Sequence, residues 1–199
     1  MRLRIEGKML CRGIALAFLM FVGQAFAAVD VDGVSFEDGD TVAGQKLVLN
    51  GASSSQILSS KATVVGLYMA QKANTPEAAF AVKGAKRIRL VALKEISAKD
   101  LATVLLDRIK QNATRDEVEN NILQLAAMGA AFNSRPKLVK GDVVTLDWNP
   151  GPKTTEIRIN GDLATQPIQG DAFYPVVMKV WIGPKVRTNL RNNLLGVPN

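Results

Sequence analysis

Two short apolar runs, Lys46 to Asn50 and Ala62 to Ala70, are joined by a polar, serine-rich stretch. Bounded by polar and turn-forming sequence, both read as strands. In the second, alternation puts Lys61, Thr63, Val65 and Leu67 on one face and Ala62, Val64, Gly66 and Tyr68 on the other. A lysine and a threonine thus share a face with apolar neighbours, a pattern that fits a polar cleft floor but more commonly belongs to a strand end reaching solvent.

Thr75 as N-cap with Pro76 at the first position predicts a short helix, and Lys86 to Leu93 returns to strand. Ser97 with Asp100, and Thr114 with Glu117, have the spacing of a capping box. The first opens a helix with an inward stripe of Leu101, Val104, Leu105 and Ile109. The second opens a helix with Val118, Ile122, Leu125 and Gly129 on one side, ending near Phe132 before Arg135-Pro136. Asp142 to Trp148 and Thr154 to Asn160 pair as a hairpin around Asn149-Pro150-Gly151-Pro152, and Asn160-Gly161 marks the next tight turn. Asp171 can cap a helix carrying Phe173, Val176, Val177, Val180 and Trp181, which Gly183-Pro184 stops; a last helix, Val186 to Leu195, ends at Gly196. Strands grouped before and after helices predict an α+β domain, an antiparallel sheet with helices packed on one face.

The N-terminal segment follows another pattern. Arg2, Arg4, Lys8 and Arg12 form a basic region, Ile14 to Val22 an apolar one, and Ala25-Phe26-Ala27 a small-residue cleavage site. Residues 1–27 are therefore expected to be a signal peptide, and 28–199 a single mature domain in the periplasm or secreted. The apolar run is shorter than the about 20 residues of a membrane span, so no stable span is expected after cleavage. Loss of the leader lowers the net charge from +7 to about +4. The densest basic cluster, Lys83, Lys86, Arg87 and Arg89, has no interleaved aromatics. It reads as a solvated strand edge, and no nucleic-acid partner is expected.

The only cysteine, Cys11, lies in the leader, and the chain has no histidine. Disulfides, Cys/His zinc sites, Ser-His-Asp triads and Cys-His nucleophiles are thereby excluded from the mature domain. The acids Asp30, Asp32, Glu37, Asp38 and Asp40 lack a calcium-loop spacing and read as a solvated N-terminal segment. No metal and no cofactor is expected.

The motifs LNGA at Leu49 to Ala52, KATVVGLYM at Lys61 to Met69, GAKRIRL at Gly84 to Leu90 and KGD at Lys140 to Asp142 are followed by ING at Ile159 to Gly161, WIG at Trp181 to Gly183 and LLG at Leu194 to Gly196. In that order, over nearly all of the mature chain, they resemble the bacterial chalcone isomerase-like family. The resemblance implies an open-faced β-sandwich with a cleft between sheet and helices. Plant enzymes of the family close a chalcone to a flavanone by attack of a phenolate oxygen on an unsaturated ketone, without a cofactor. Relatives on the same fold bind fatty acids or have no known catalysis.

By this resemblance the enzymes' arginine falls on Ser55, which offers one neutral hydroxyl in place of five charged donors. Their strand threonine falls on Thr63, where a hydroxyl could orient a carbonyl or a water; it is the one catalytic candidate. Their tyrosine and asparagine have no counterpart between Ile96 and Lys110, and their substrate-binding hydroxyl falls on or beside Pro175. The expectation is a non-catalytic binder of a small hydrophobic or amphiphilic molecule such as a fatty acid. The alternatives are a chalcone-type isomerase of another substrate and an envelope interaction protein without a ligand. The expected binding residues are Ser55, Lys61 and Thr63, with Leu105, Ile109, Ile122 and Leu125 from the helices lining an apolar cleft over Thr63.

Overall fold

A computed structural model describes residues 28–199; the expected leader lies outside the described residues. A hairpin of β1 (Val29–Val31) and β2 (Val34–Phe36) leads into β3 (Gly39–Val42), β4 (Gln45–Ile57) and β5 (Ser60–Met69). Next come α1 (Pro76–Ala81), β6 (Lys86–Ala92), the short β7 (Ile96–Ser97), and the helices α2 (Ala98–Asn112), α3 (Arg115–Asn120) and α4 (Ile122–Phe132). The short β8 (Lys137–Leu138) precedes β9 (Val143–Asn149), β10 (Thr154–Ile159), β11 (Asp162–Leu163) and β12 (Ile168–Gln169), and α5 (Phe173–Ile182) and α6 (Thr188–Leu195) follow. The main sheet runs β11-β10-β9-β6-β5-β4-β3, all antiparallel, with β12 beside β10.

One face of this sheet carries the helices. Val65, Leu67, Ile88, Leu90, Leu146 and Ile157 meet Leu101, Leu105 and Ile109 of α2 and Val177, Val180 and Trp181 of α5 in one buried cluster. Each such aliphatic side chain contributes about 1.5–3 kcal/mol by leaving water. The opposite face holds a smaller cluster, with Phe36, Val64 and Tyr68 at its centre. A Cβ on Gly66 would lie 2.6 Å from the Phe36 ring, so the glycine lets that ring pack directly against the sheet. The mixed α+β architecture agrees with the sequence pattern, as does the placement of the major helices on one face.

Several local expectations change. The acidic N-terminal segment is solvated at Asp30, Asp32 and Glu37 as expected, but it is ordered as the hairpin and edge strand, because Phe36 is fully buried and Asp32 and Asp40 find Lys61 and Arg87. The basic cluster is not an edge, since β6 lies between β5 and β9. Lys86 is buried, Arg87 makes paired hydrogen bonds with Asp147 at 2.7 and 2.6 Å, and Arg89 stacks over Phe36. The pair's cost falls on the acid: burial pushes Asp147 up despite the guanidinium, whereas hydrogen bonding to Asp147 holds Arg87 above its ordinary value.

The helix expected from Thr114 to Phe132 is two helices broken at Asn121, whose side chain donates to the Glu117 carbonyl. Its capping box is formed. Asp171 does not cap α5, whose N-cap is Ala172; it pairs with Lys153 instead. Among the described residues no helix is long and apolar enough to cross a membrane.

Asn50 and Gly51 fasten the last helix to the sheet. A bulge at Asn50 turns its side chain out of the ladder, where it donates to the carbonyls of Ala73 at 2.9 Å and Leu194 at 2.7 Å and accepts from the Ala73 amide at 2.7 Å. A Cβ on Gly51 would clash with the Asn193 carbonyl oxygen and lie 2.9 Å from the Leu194 carbonyl. Only a glycine lets α6 approach β4 this closely, and that approach sets one wall of the site.

Candidate functional site

Ser55 and Thr63 are register partners on β4 and β5. Thr63 is fully buried, and its hydroxyl donates to the Ser55 carbonyl at 3.2 Å. The Ser55 hydroxyl accepts from Arg108 Nη1 at 3.1 Å, and Arg108 Nη2 donates to the Gln56 carbonyl. A guanidinium therefore stands beside Ser55 after all, carried by α2 rather than by the strand.

Local sequence explains how it gets there. Leu101, Leu105, Arg108 and Asn112 follow at the four- and three-residue spacing that keeps one helix face in line. The first two enter the core, and the last two reach its rim. Asn112 donates to the Arg108 carbonyl at 2.9 Å and accepts from the Lys185 amide at 2.7 Å, joining α2 to the loop before α6. That polar continuation of an apolar stripe is the signal that could have exposed Arg108 in the sequence.

Between β4, the end of α2, and the loop and first turns of α6 lies a cleft of about 640 Å³. Lys61, Arg108, Lys185 and Arg187 border it, and no carboxylate does. Ser53 and Asn193 close its floor through a hydrogen bond of 3.1 Å. Burial, and then the nearby charge of Arg187, push Arg108 below its ordinary value. Arginine stays charged even so, which leaves Arg108 and Arg187 facing one another with no acid paired to either among the described residues. A bound anion relieves both costs.

The expected site residues divide. Ser55 and Thr63 lie together but buried behind Arg108, and neither lines the cleft. Lys61 borders it, but alternation along β5 stops at a bulge at Ala62, and the ammonium turns to Asp32 at 2.9 Å. Leu105, Ile109 and Leu125 do not line the cleft: they are packed into the main core against other helices and the sheet. Ile122 is 60 % exposed, because the break at Asn121 rotates α4 out of the stripe that Val118 begins. The apolar cleft expected over Thr63 is thus filled by the protein's own side chains. The apolar residues that do border the observed one include Leu58, Val180, Val186 and Leu190.

The family model for chalcone isomerase-like proteins matches residues 28–196. The chain belongs to the chalcone isomerase-like family. No curated protein sequence matches it. Among solved structures, a fatty-acid binding protein of Arabidopsis thaliana is similar in fold, with a TM-score of 0.60 at 16% identity, covering 85% of this chain and 96% of that one. In this chalcone isomerase-like domain the cleft can hold and orient an anion. It presents no histidine, cysteine or carboxylate to move a proton, and the one proton of Thr63 is already given to Ser55. Of the two tyrosines, Tyr68 lies on the hairpin side, where burial pushes it to about 12, and Tyr174 donates to the Leu146 carbonyl.

Proposed function

We propose that this protein is a non-catalytic binder of a small anionic amphiphile, of which a fatty acid is the type. The observation that carries the reading is a cleft bordered by Arg108, Lys185 and Arg187, none of them ion-paired among the described residues, together with the Asp32-paired Lys61, and by no acidic side chain. Its size is that of small-molecule sites in general. The carboxylate sits at Arg108 and Arg187, and the apolar portion runs over Val186, Leu190 and Leu58. Support comes from the family and from the Arabidopsis neighbour, which is a fatty-acid binding protein. The same reading makes the protein an exported one, with cleavage after Ala27; the family match, which starts at residue 28, is consistent with a removable leader.

Laurate at saturating concentration is expected to raise the melting temperature, by roughly RT ln(1 + [L]/Kd) in free energy. Arg108→Gln should weaken laurate at least tenfold while leaving dodecanol, which has no charge, within twofold of its affinity for the unaltered protein. Equal weakening of both, or no shift with either, refutes the assignment. N-terminal mass analysis of protein from its native host should find Ala28 first; a mature form that retains residues 1–27 refutes export with cleavage.

A further inference from the structure

A second cleft, of about 440 Å³, opens at the other end of the same strands. Ser55, Thr63 and Ala92 align at one end of the sheet, whereas Met69, Lys86 and Trp148 align at the other. Phe80, Trp148, Tyr174 and Pro175 form its walls, with the Trp148 and Tyr174 rings 6.1 Å apart between centroids. Lys86 also lines it, although only 6 % of the residue is exposed. Its ammonium donates to the Val82 carbonyl at 2.6 Å, just beyond the end of α1, and no other hydrogen-bond acceptor is provided for it among the described residues.

A lysine ammonium has three hydrogens to place and a charge to balance. Here one hydrogen is placed, and no acid pairs with the charge. Burial, and then the nearby Lys83, push Lys86 down to about 8. Of the other charged groups nearby, Lys153 pairs with Asp171 at 3.3 Å at the mouth, and Lys179, which lies over Phe80, pairs with Glu117; Lys83, which also lines the cleft, adds a second cation with no ion pair among the described residues. The Tyr174 hydroxyl is used by Leu146. What the cleft lacks is an anion carried on a flat apolar body.

We propose that this cleft binds a small aromatic carboxylate, with the carboxylate on the Lys86 ammonium and the ring against Phe80 and Trp148. The site is separate from the one at Arg108 and stands without it. Lys86 acts by charge and hydrogen bonding, and no bond is made or broken.

Trp148 gives the assay. Titration with trans-cinnamate at pH 6.5 should change tryptophan emission saturably, and the uncharged cinnamamide should bind at least tenfold more weakly. Lys86→Met, which keeps the length and removes the charge, should weaken cinnamate at least tenfold and bring acid and amide together. Should that variant not fold, the unaltered protein decides the matter: cinnamate affinity must fall as pH rises from 7 to 9.5, because the amine loses the proton that holds the carboxylate. Acid and amide binding alike, Lys86→Met retaining cinnamate, a flat pH profile, or loss of the signal in Arg108→Gln would each overturn the proposal.

Discussion

Gly51→Ala adds one methyl group where β4 meets the last turn of α6, and the structure bounds its cost from both sides. The new Cβ would clash with the Asn193 carbonyl oxygen and lie 2.9 Å from the Leu194 carbonyl. Both neighbours are backbone, so no side chain can swing aside. If strand and helix spread slightly, the cost is that of overpacking, about 1–3 kcal/mol. If the final turn lifts instead, Leu194 and Leu195, both buried, lose part of their burial at about 1.5–3 kcal/mol each when complete. The buried bond from Asn50 to the Leu194 carbonyl goes with them, at about 1 kcal/mol. An intermediate response costs about 3 kcal/mol, a fall of roughly 6–12 °C in melting temperature for a domain of this size. Gly129→Ala supplies the control. It lies inside α4, and its Cβ would meet only Leu106 Cδ1 at 3.8 Å, so the gain in helix propensity, about 0.5–1 kcal/mol, should raise the melting temperature. Thermal unfolding of both variants by circular dichroism reads the difference. A Gly51→Ala protein melting within 2 °C of the unaltered one would falsify the close-approach argument.

Two further outcomes follow from the packing. Asp147→Asn should cost about 2–4 kcal/mol in urea unfolding, below the usual range for breaking a buried pair because Asp40 still holds Arg87 at 2.8 Å; replacing Arg87 and Asp147 together by Met and Leu should cost less than the single change. Leu105→Ala should destabilise by about 3–5 kcal/mol and leave laurate affinity within twofold, since Leu105 is core and not cleft; a selective loss of ligand would return it to the site.

Where local signals act alone, the sequence was a good guide. Thr75 accepts from the Ala78 amide, and Thr114 and Glu117 close their capping box, as the spacing predicts; Ser97 accepts from the Asp100 amide, without the return bond of a full box. The serine-rich run misleads because its partners are distant in sequence: Ser53 meets Asn193 and Ser55 meets Arg108, so residues that read as a polar connector continue β4 to Ile57. Ile122 fails for a geometric reason. The stripe that Val118 begins runs through Asn121, where the backbone leaves helical geometry. Arg108 carries only a weak signal, its place in line with Leu101 and Leu105, because a long cation beside an apolar stripe ordinarily reaches water; here it turns back onto a strand. Phe36 could not be found by periodicity, since its place is made by a missing side chain, that of Gly66.

The fastening of α6 also sets the order in which the molecule can be completed. Asn50 is made early in synthesis, yet the Leu194 carbonyl it holds is 144 residues away, and Arg187, Asn189 and Asn193 of the cleft wall come equally late. No nascent chain that stops short of α6 can possess the cationic cleft, and the helix-facing surface that Leu194 covers stays open until then. Contacts so distant along the chain carry their full loop-closure cost before they return any stabilisation, so this step belongs to the slow part of folding. Ligand binding can therefore report that folding has finished, because the cleft is among the last parts of the molecule to exist.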